Sequence, residues 1–230
     1  MRLKAITPIR VSEEELARRQ ERYQTLSPEG VEVELVNLPD APGVPTSLDS
    51  EQAIRGSESY VVEEALATDP ERYDAVLPDC VLDPGLERLW RECPAPAYGI
   101  LRLSTDFLVS LGHRFAAVTR NQPIGDELQR RVEAYGHLEH FDRGLILDLS
   151  IEDIADDALW NEALTQAAAK FEGSQTTTVI NGCSAVDLHP RPADSVALVD
   201  PTALALQALG LAEKFKLPSG RRLARTALTG

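Results

Sequence analysis

Tyr73–Cys80 reads YDAVLPDC and Thr176–Cys183 reads TTTVINGC. Each reads as a strand, and each closes on a cysteine. Working outward, the same order of elements precedes both. Before the first run stand the strand-like Arg2–Pro8 (RLKAITP), a helix opened by Ser12 with Glu15 three residues on as a capping box, the alternating run Val31–Leu38 (VEVELVNL), and a helix beginning at Asp49 and Gln52 and running to about Ala67. Pairs Glu14–Arg18 and Glu15–Arg19 have helical spacing and are expected on the solvent face of the first helix. A short helix near Pro84–Arg91 and a strand at Pro96–Ile100 complete this half.

The second half restarts the pattern. Ser104–Leu111 reads as a connecting helix, Arg114–Thr119 (RFAAVT) as a strand, Asp126–Tyr135 as a helix, Gly144–Leu149 as a strand and Glu152–Phe171 as a long helix. After Cys183 come a last strand, Val196–Asp200, and a helix from Pro201 to Phe215, with proline in the first turn where its missing N–H costs nothing. The repeat is one of structure, without obvious identity of residues. Alternating strands and helices of this kind give an α/β fold of two similar lobes, each a parallel sheet covered by helices. In such sheets ligands bind beyond the carboxyl ends of the strands, where Cys80 and Cys183 both fall. Two lobes facing each other bring both thiols to one cleft.

Composition narrows the function. The 230 residues carry a formal charge of −14, so the long-range field repels polyanions, and neither nucleic acid nor an anionic membrane is expected as a partner. The N-terminus has no secretory pattern before the acidic cluster Glu13–Glu15, and the best apolar stretch, Ala203–Ala212, is short and contains Gln207, so a cytoplasmic location is expected. Three cysteines (Cys80, Cys93 and Cys183) make no disulfide framework and read as free thiols.

Common chemistries are missing. No two glycines are separated by a single residue, which removes the dinucleotide fingerprint, and there is no P-loop. His137 and His140 have no second cluster to complete a zinc set and read as part of a solvated turn. Leu86 and His189 stand six residues after Cys80 and Cys183, where a cysteine phosphatase needs arginine. A cysteine hydrolase would need His113 or His189 as its base, and no spacing points to that pairing. Cys93, between Glu92 and Pro94, reads as a buried or loop thiol without a role, and Trp90 and Trp160 read as packing residues.

Strand-end placement gives Cys80 and Cys183 backbone N–H groups and a helix terminus that favour the thiolate. Two such thiols on opposite sides of one carbon form a two-base system. One thiolate removes a proton, the opposite thiol returns one from the other side, and the stereocentre inverts. The substrate this chemistry needs is a carbon acid, with a C–H beside a carbonyl or carboxyl group and an enolate-like intermediate held by hydrogen-bond donors.

The segments Cys80–Leu86 (CVLDPGL), Pro96–Ile100 (PAYGI), Gly112–Thr119 (GHRFAAVT), Ile180–Leu188 (INGCSAVDL) and Val196–Leu206 (VALVDPTALAL) occur in an order and at spacings that resemble the aspartate/glutamate/hydantoin racemase superfamily, and within it the hydantoin/allantoin racemase branch. The resemblance covers nearly the whole chain. It implies two pseudo-symmetric flavodoxin-like lobes, each with a four-stranded parallel sheet flanked by helices: residues 1–103 with 203–230 as one lobe, 104–202 as the other, and the active site in the cleft between them. It implies a cofactor-independent isomerase, a racemase or epimerase, with Cys80 and Cys183 as the acid/base pair. Thr7, Pro8, Ser47, Val81, Thr119 and Ser184 match positions that line the substrate site. Family members are commonly homo-oligomers, and that expectation extends to this chain.

The chain departs from the family pattern at several places. Ile6-Thr7-Pro8-Ile9 lacks the amide side chains that branch members carry after the first strand, and Ser184-Ala185 stands where glutamate racemases have a Thr-His pair. Asp79, directly before Cys80, replaces a small apolar residue; it reads as a helix cap or loop carboxylate rather than a catalytic group. Arg120 is either a surface residue or a cleft cation that binds a carboxylate. The substrate expected is a hydantoin- or allantoin-like cyclic ureide, with an amino-acid racemase and a maleate-type cis–trans isomerase as alternatives. Outside enzymes, the same fold would serve as a small-ligand-binding regulatory protein.

Overall fold

A computed structural model of the chain describes residues 1–150, 152–189 and 196–217. In chain order the elements are β1 (Arg2–Ile6), α1 (Glu13–Leu26), β2 (Glu32–Val36), α2 (Glu51–Leu66), β3 (Ala75–Pro78), α3 (Leu86–Glu92), α4 (Ile100–Ser110), β4 (Phe115–Thr119), α5 (Gln122–Ala134), β5 (Phe141–Ile146), α6 (Asp157–Ala169), β6 (Thr178–Asn181), β7 (Ala197–Val199) and α7 (Pro201–Lys214). All strand pairs are parallel. They form two sheets, in the orders β2-β1-β3 and β5-β4-β6-β7, so the halves share one winding: β1 corresponds to β4, β2 to β5 and β3 to β6.

Side-chain alternation along the central strands sorts the core into layers. Leu3 and Ala5 of β1 and Leu77 of β3 pack outward against Tyr23 of α1 and Leu206 and Leu209 of α7. Ile6 and Val76 face the other way and share one cluster with Phe115 and Ala117 of β4 and Leu128 of α5. The inner faces of the two sheets are thereby joined by continuous apolar contact. Ala116, Val118 and Val179 turn outward again, onto Trp160, Leu164 and Phe171 on the α6 side.

Helix starts follow their caps. Ser12 Oγ accepts from Glu15 N–H at 3.2 Å, as the capping box predicts. Several elements differ from their expected bounds: α2 is capped by Ser50 rather than Asp49, and α4 starts at Ile100, four residues before the expected Ser104. Asn121 caps α5, its Oδ1 accepting from Ile124 N–H at 3.0 Å, so the helix starts four residues before Asp126. Asp156 caps α6 through Leu159 N–H at 3.0 Å and divides the long helix expected from Glu152 into a single 3-10 turn and α6. The strand expected at Gly144–Leu149 lies earlier, at β5.

The first sheet has three strands, not four. At the expected fourth strand the chain makes one bridge, Val76 to Ala97, held by Val76 N–H to Pro96 O at 2.9 Å and Tyr98 N–H to Val76 O at 3.0 Å. The ladder stops there because Asp83 starts a helix instead. Its carboxylate accepts from the N–H groups of Leu101 (3.0 Å) and Arg102 (2.8 Å), and a Cβ at Gly99 would collide with that carboxylate. The 103/104 division expected from the sequence thus falls inside α4. Residues 218–230, expected in the first lobe, lie outside the described residues.

Asp83 also accepts from Tyr135 Oη, at 2.8 Å, and so links the α4 terminus to the end of α5. Burial pushes the Asp83 carboxyl up to about 6, against the lowering effect of its three donors. A carboxyl with a raised folded-state pKa takes up its proton earlier in the folded than in the unfolded chain. Its contribution to stability is therefore greatest at acidic pH and is lost as pH rises through about 6. The Asp83→Asn variant should lack this slope. Urea titrations should show the stability gap between wild type and variant widening as pH is lowered from neutral toward about 4, the ordinary carboxylate range; a gap independent of pH would contradict the assignment.

Candidate active site

Parallel strands end together, and the ladder extends by one hydrogen bond past both β3 and β6. Asp79 N–H donates to Ile6 O and Gly182 N–H to Val118 O, each at 2.7 Å. The next residue in each case is the cysteine. Cys80 and Cys183 line the same cleft between the two sheets. Cys80 is buried and Cys183 half-buried.

The two thiols sit in similar turns. Leu82 N–H donates to Cys80 Sγ at 3.4 Å, and Ala185 N–H bonds Cys183 in the same i+2 relation. Asn181 fixes the second turn from below: its Oδ1 accepts from Cys183 N–H at 3.3 Å and its Nδ2 donates to Cys183 O at 2.9 Å. Trp160 Nε1 in turn donates to Asn181 Oδ1 at 3.0 Å. The main-chain N–H groups of Val81 and Ser184, each following a cysteine in the cleft wall, meet no protein acceptor among the described residues.

Strand-end placement does not lower the thiol pKa values as the sequence led us to expect. Burial pushes Cys80 up to about 12, and the negative charge of Asp79 and Asp83 adds to it while the Leu82 N–H opposes it. Burial also raises Cys183, opposed by the Ala185 N–H and by Arg19 and Arg22. No helix starts directly after either cysteine: α3 begins at Leu86 and α7 at Pro201. The helix-terminus effect, which fades within a turn, is therefore missing.

Asp79 caps no helix; it lies in the bend that follows β3, as a loop carboxylate, but a buried one. It is fully enclosed, accepting from Tyr23 Oη at 2.8 Å and pairing with Arg19 Nη1 at 3.3 Å. Arg19, expected in solvent, is buried and lines the cleft; its Nε bonds Glu15 Oε1 at 2.6 Å. The missed signal was its phase: Leu16, Arg19, Tyr23 and Leu26 form one stripe at helical spacing, so Arg19 belongs to the packed face of α1. The same helix reaches across to the segment after Cys183. Arg18 Nη2 donates to Ala185 O at 2.8 Å, and Arg22 Nη2 to Val186 O at 3.0 Å and Asp200 Oδ2 at 2.6 Å.

The other sequence candidates divide into two groups. Pro8, Val81, Arg120 and Ser184 line the cleft. Arg120 is buried and held by Asp49, with a further bond from Nη1 to Leu149 O at 3.4 Å. Ser184 Oγ donates to Asp79 O at 3.1 Å. Thr7, Ser47 and Thr119 are not among the residues that line the cleft. Thr7 Oγ1 bonds Asn37 Oδ1 at 3.2 Å and accepts from Leu38 N–H, while Thr119 Oγ1 donates to Asn121 O at 3.3 Å. Ser47 bonds Asp49, the partner of Arg120. The remaining wall is apolar, built from Ile9, Leu48, Leu82, Ile124 and Ile154, which no chemical motif in the sequence marks. His113, His137 and His140 lie elsewhere, bonded to Thr177, Asp106 and the His113 carbonyl respectively. Among the described residues no group of His, Cys, Asp and Glu could hold a metal ion, and no helix is long and apolar enough to cross a membrane.

The profile of the Asp/Glu/hydantoin racemase family matches residues 9–209. The chain belongs to that family. It is accordingly an isomerase of the racemase type. Its fold is that of allantoin racemase from Klebsiella pneumoniae (TM-score 0.77, 18% identity, 96% of this chain and 90% of that one). Similar values hold for allantoin racemase from Pseudomonas fluorescens, with TM-score 0.76, 17% identity and 96% and 94% coverage. The maleate isomerase Iso from Pseudomonas putida S16 shares it more loosely, with TM-score 0.58, 14% identity and 95% and 94% coverage. No curated protein sequence matches the chain.

The Arg19–Asp79–Tyr23 cluster fixes the floor beside Cys80. Replacing Asp79 with alanine leaves a buried guanidinium and a buried phenol short of an acceptor, and should cost about 3 to 5 kcal/mol in urea titrations. Tyr23→Phe removes one donor only and should cost less, about 1 to 3 kcal/mol.

Proposed function

We propose that the chain is a cofactor-independent racemase that inverts a carbonyl-activated stereocentre by two-cysteine acid/base chemistry, acting on a neutral five-membered cyclic ureide of the hydantoin or allantoin kind. The observation that carries this reading is the meeting of Cys80 and Cys183 in one cleft. One thiolate takes the ring C–H proton, charge moves onto the adjacent carbonyl oxygen, and the other thiol protonates the carbon from the opposite side. The N–H groups of Val81 and Ser184 suit the role of donors to that oxygen, each such donor contributing about 3 kcal/mol to the transition state when aligned.

Charge in the cleft supports a neutral substrate. Both cleft arginines are already matched by carboxylates, Arg19 by Glu15 and Asp79 and Arg120 by Asp49. An acidic amino acid, with two carboxylates and an ammonium group, would have to displace these buried pairs and find a new anion for its ammonium. A ring of amides needs only hydrogen bonds and an apolar wall, which Ile9, Leu48 and Ile124 supply. The names of the two allantoin racemases of similar fold agree with this choice of substrate class.

The test is a polarimetric panel of 5-substituted hydantoins, allantoin and acidic amino acids, with maleate followed in parallel by its ultraviolet absorbance, all run in deuterated water. Racemisation of a ureide with incorporation of deuterium at the stereocentre is expected. Exclusive turnover of amino acids, or isomerisation of maleate without exchange, would replace this reading with one of the alternatives, and ligand binding without turnover would replace it with a regulatory role. Cys80→Ser and Cys183→Ser should each lower kcat by about 10² to 10⁴, the range for loss of a general acid or base; full activity in either variant would refute the two-base mechanism.

A further inference from the structure

The two halves are alike in winding but not in charge. Asp79 and Gly182 occupy equivalent places, each donating its N–H to the central strand and each preceding a cysteine. Lobe symmetry stops at the side chain. A Cβ at Gly182 would collide with the Val118 carbonyl oxygen, so no carboxylate can stand beside Cys183 as Asp79 stands beside Cys80. Two buried carboxylates, Asp79 and Asp83, act on Cys80. Cys183 instead adjoins the stretch that α1 reaches: Arg18 and Arg22 donate to the carbonyls of Ala185 and Val186, and Arg19 lines the cleft with Cys183. The positive charge of Arg19 favours the Cys183 thiolate, Asp79 opposes it less strongly, and Arg22 adds a smaller favourable share. The remaining charged pair in the cleft wall, Arg120 with Asp49, is closed on itself.

We propose that Arg19 is a positioning residue that makes the thiols unequal, so that Cys183 is the proton acceptor of the resting enzyme and Cys80 the proton donor. This rests on the two-cysteine reading above and adds a direction to it. The substrate proton goes to Cys183 Sγ, the carbanion charge is carried on the carbonyl oxygen, and the Cys80 S–H supplies the proton that forms the new C–H bond. Turnover leaves Cys183 as thiol and Cys80 as thiolate. One proton must then pass back, through solvent in the open cleft, before a molecule of the same hand reacts again. Arg19 is suited to this role because its position is over-determined: Glu15 holds Nε, Asp79 holds Nη1, and the stem is packed in the α1 stripe.

The experiment is site-resolved alkylation of the full chain with iodoacetamide from neutral to alkaline pH, with each cysteine followed by peptide mass spectrometry and the midpoint of its pH–rate curve compared. Midpoints, unlike rates, do not depend on which thiol is more accessible. Cys183 should titrate lower than Cys80 by about one pH unit or more, a tenfold difference in thiolate population. Arg19→Gln should raise the Cys183 midpoint by about one unit and close the gap, and Arg19→Lys, which keeps the charge, should largely restore it. Should Arg19→Gln fail to fold, the wild-type curves and Arg19→Lys still decide. Coincident or reversed midpoints, thiols that stay unlabelled at every pH, or a gap unchanged in a folded Arg19→Gln variant would each overturn the inference. No substrate is used. Racemisation with reversed midpoints would therefore defeat this inference alone, whereas the expected midpoints in a protein inactive on every carbon acid would defeat the proposed function alone.

Discussion

Everything at the cleft hangs on parallel pairing carried one residue past the strands. In a parallel ladder all strands finish at one edge, and the bonds Asp79 N–H to Ile6 O and Gly182 N–H to Val118 O fix the chain at that edge. Chain direction beyond them is then set, and the following residue has little choice but to face the opposing sheet. Continuous apolar contact between inner faces, from Ile6 and Val76 through to Phe115 and Ala117, holds the two edges at a constant separation. The thiols are thus placed by backbone geometry, and the side chains around them decide their protonation.

That division explains what was legible in the sequence. Strands buried on both faces write themselves as unbroken apolar runs, so AVL and TVI could be read directly, and a cysteine at the end of each could be placed at the carboxyl edge by topology alone. Caps such as Ser12 are local and were legible too. Asp79 was not: its partners, Tyr23 and Arg19, lie some sixty residues away in the chain, and nothing local separates an enclosed carboxylate from an exposed one. Arg19 was misplaced because its i−4 partner Glu15 gives a satisfying surface account of a charge that in fact lies in the packed stripe. The fourth strand of the first sheet failed for a related reason, since Asp83, distant in sequence, captures the N–H groups that open α4.

Burial and polarity meet at the cleft in an unusual balance. Its wall is mostly apolar, yet it contains two arginines, and both are satisfied before any ligand arrives. Pre-paired cations contribute a fixed field without demanding a counter-ion from the substrate. For a chain of large net negative charge, such a cleft suits a neutral ligand, whose encounter feels neither attraction nor repulsion at long range.

Trp160 has a place in this arrangement that extends beyond packing. Its indole is fully buried against the second sheet, and its N–H is bonded to the same Asn181 oxygen that accepts from Cys183 N–H. Trp90, the other indole of the chain, is partly exposed and donates to the Ala97 carbonyl. The molecule therefore contains a built-in reporter: a buried indole is connected through one amide to the cysteine backbone, while the other indole stands in a different, more exposed environment.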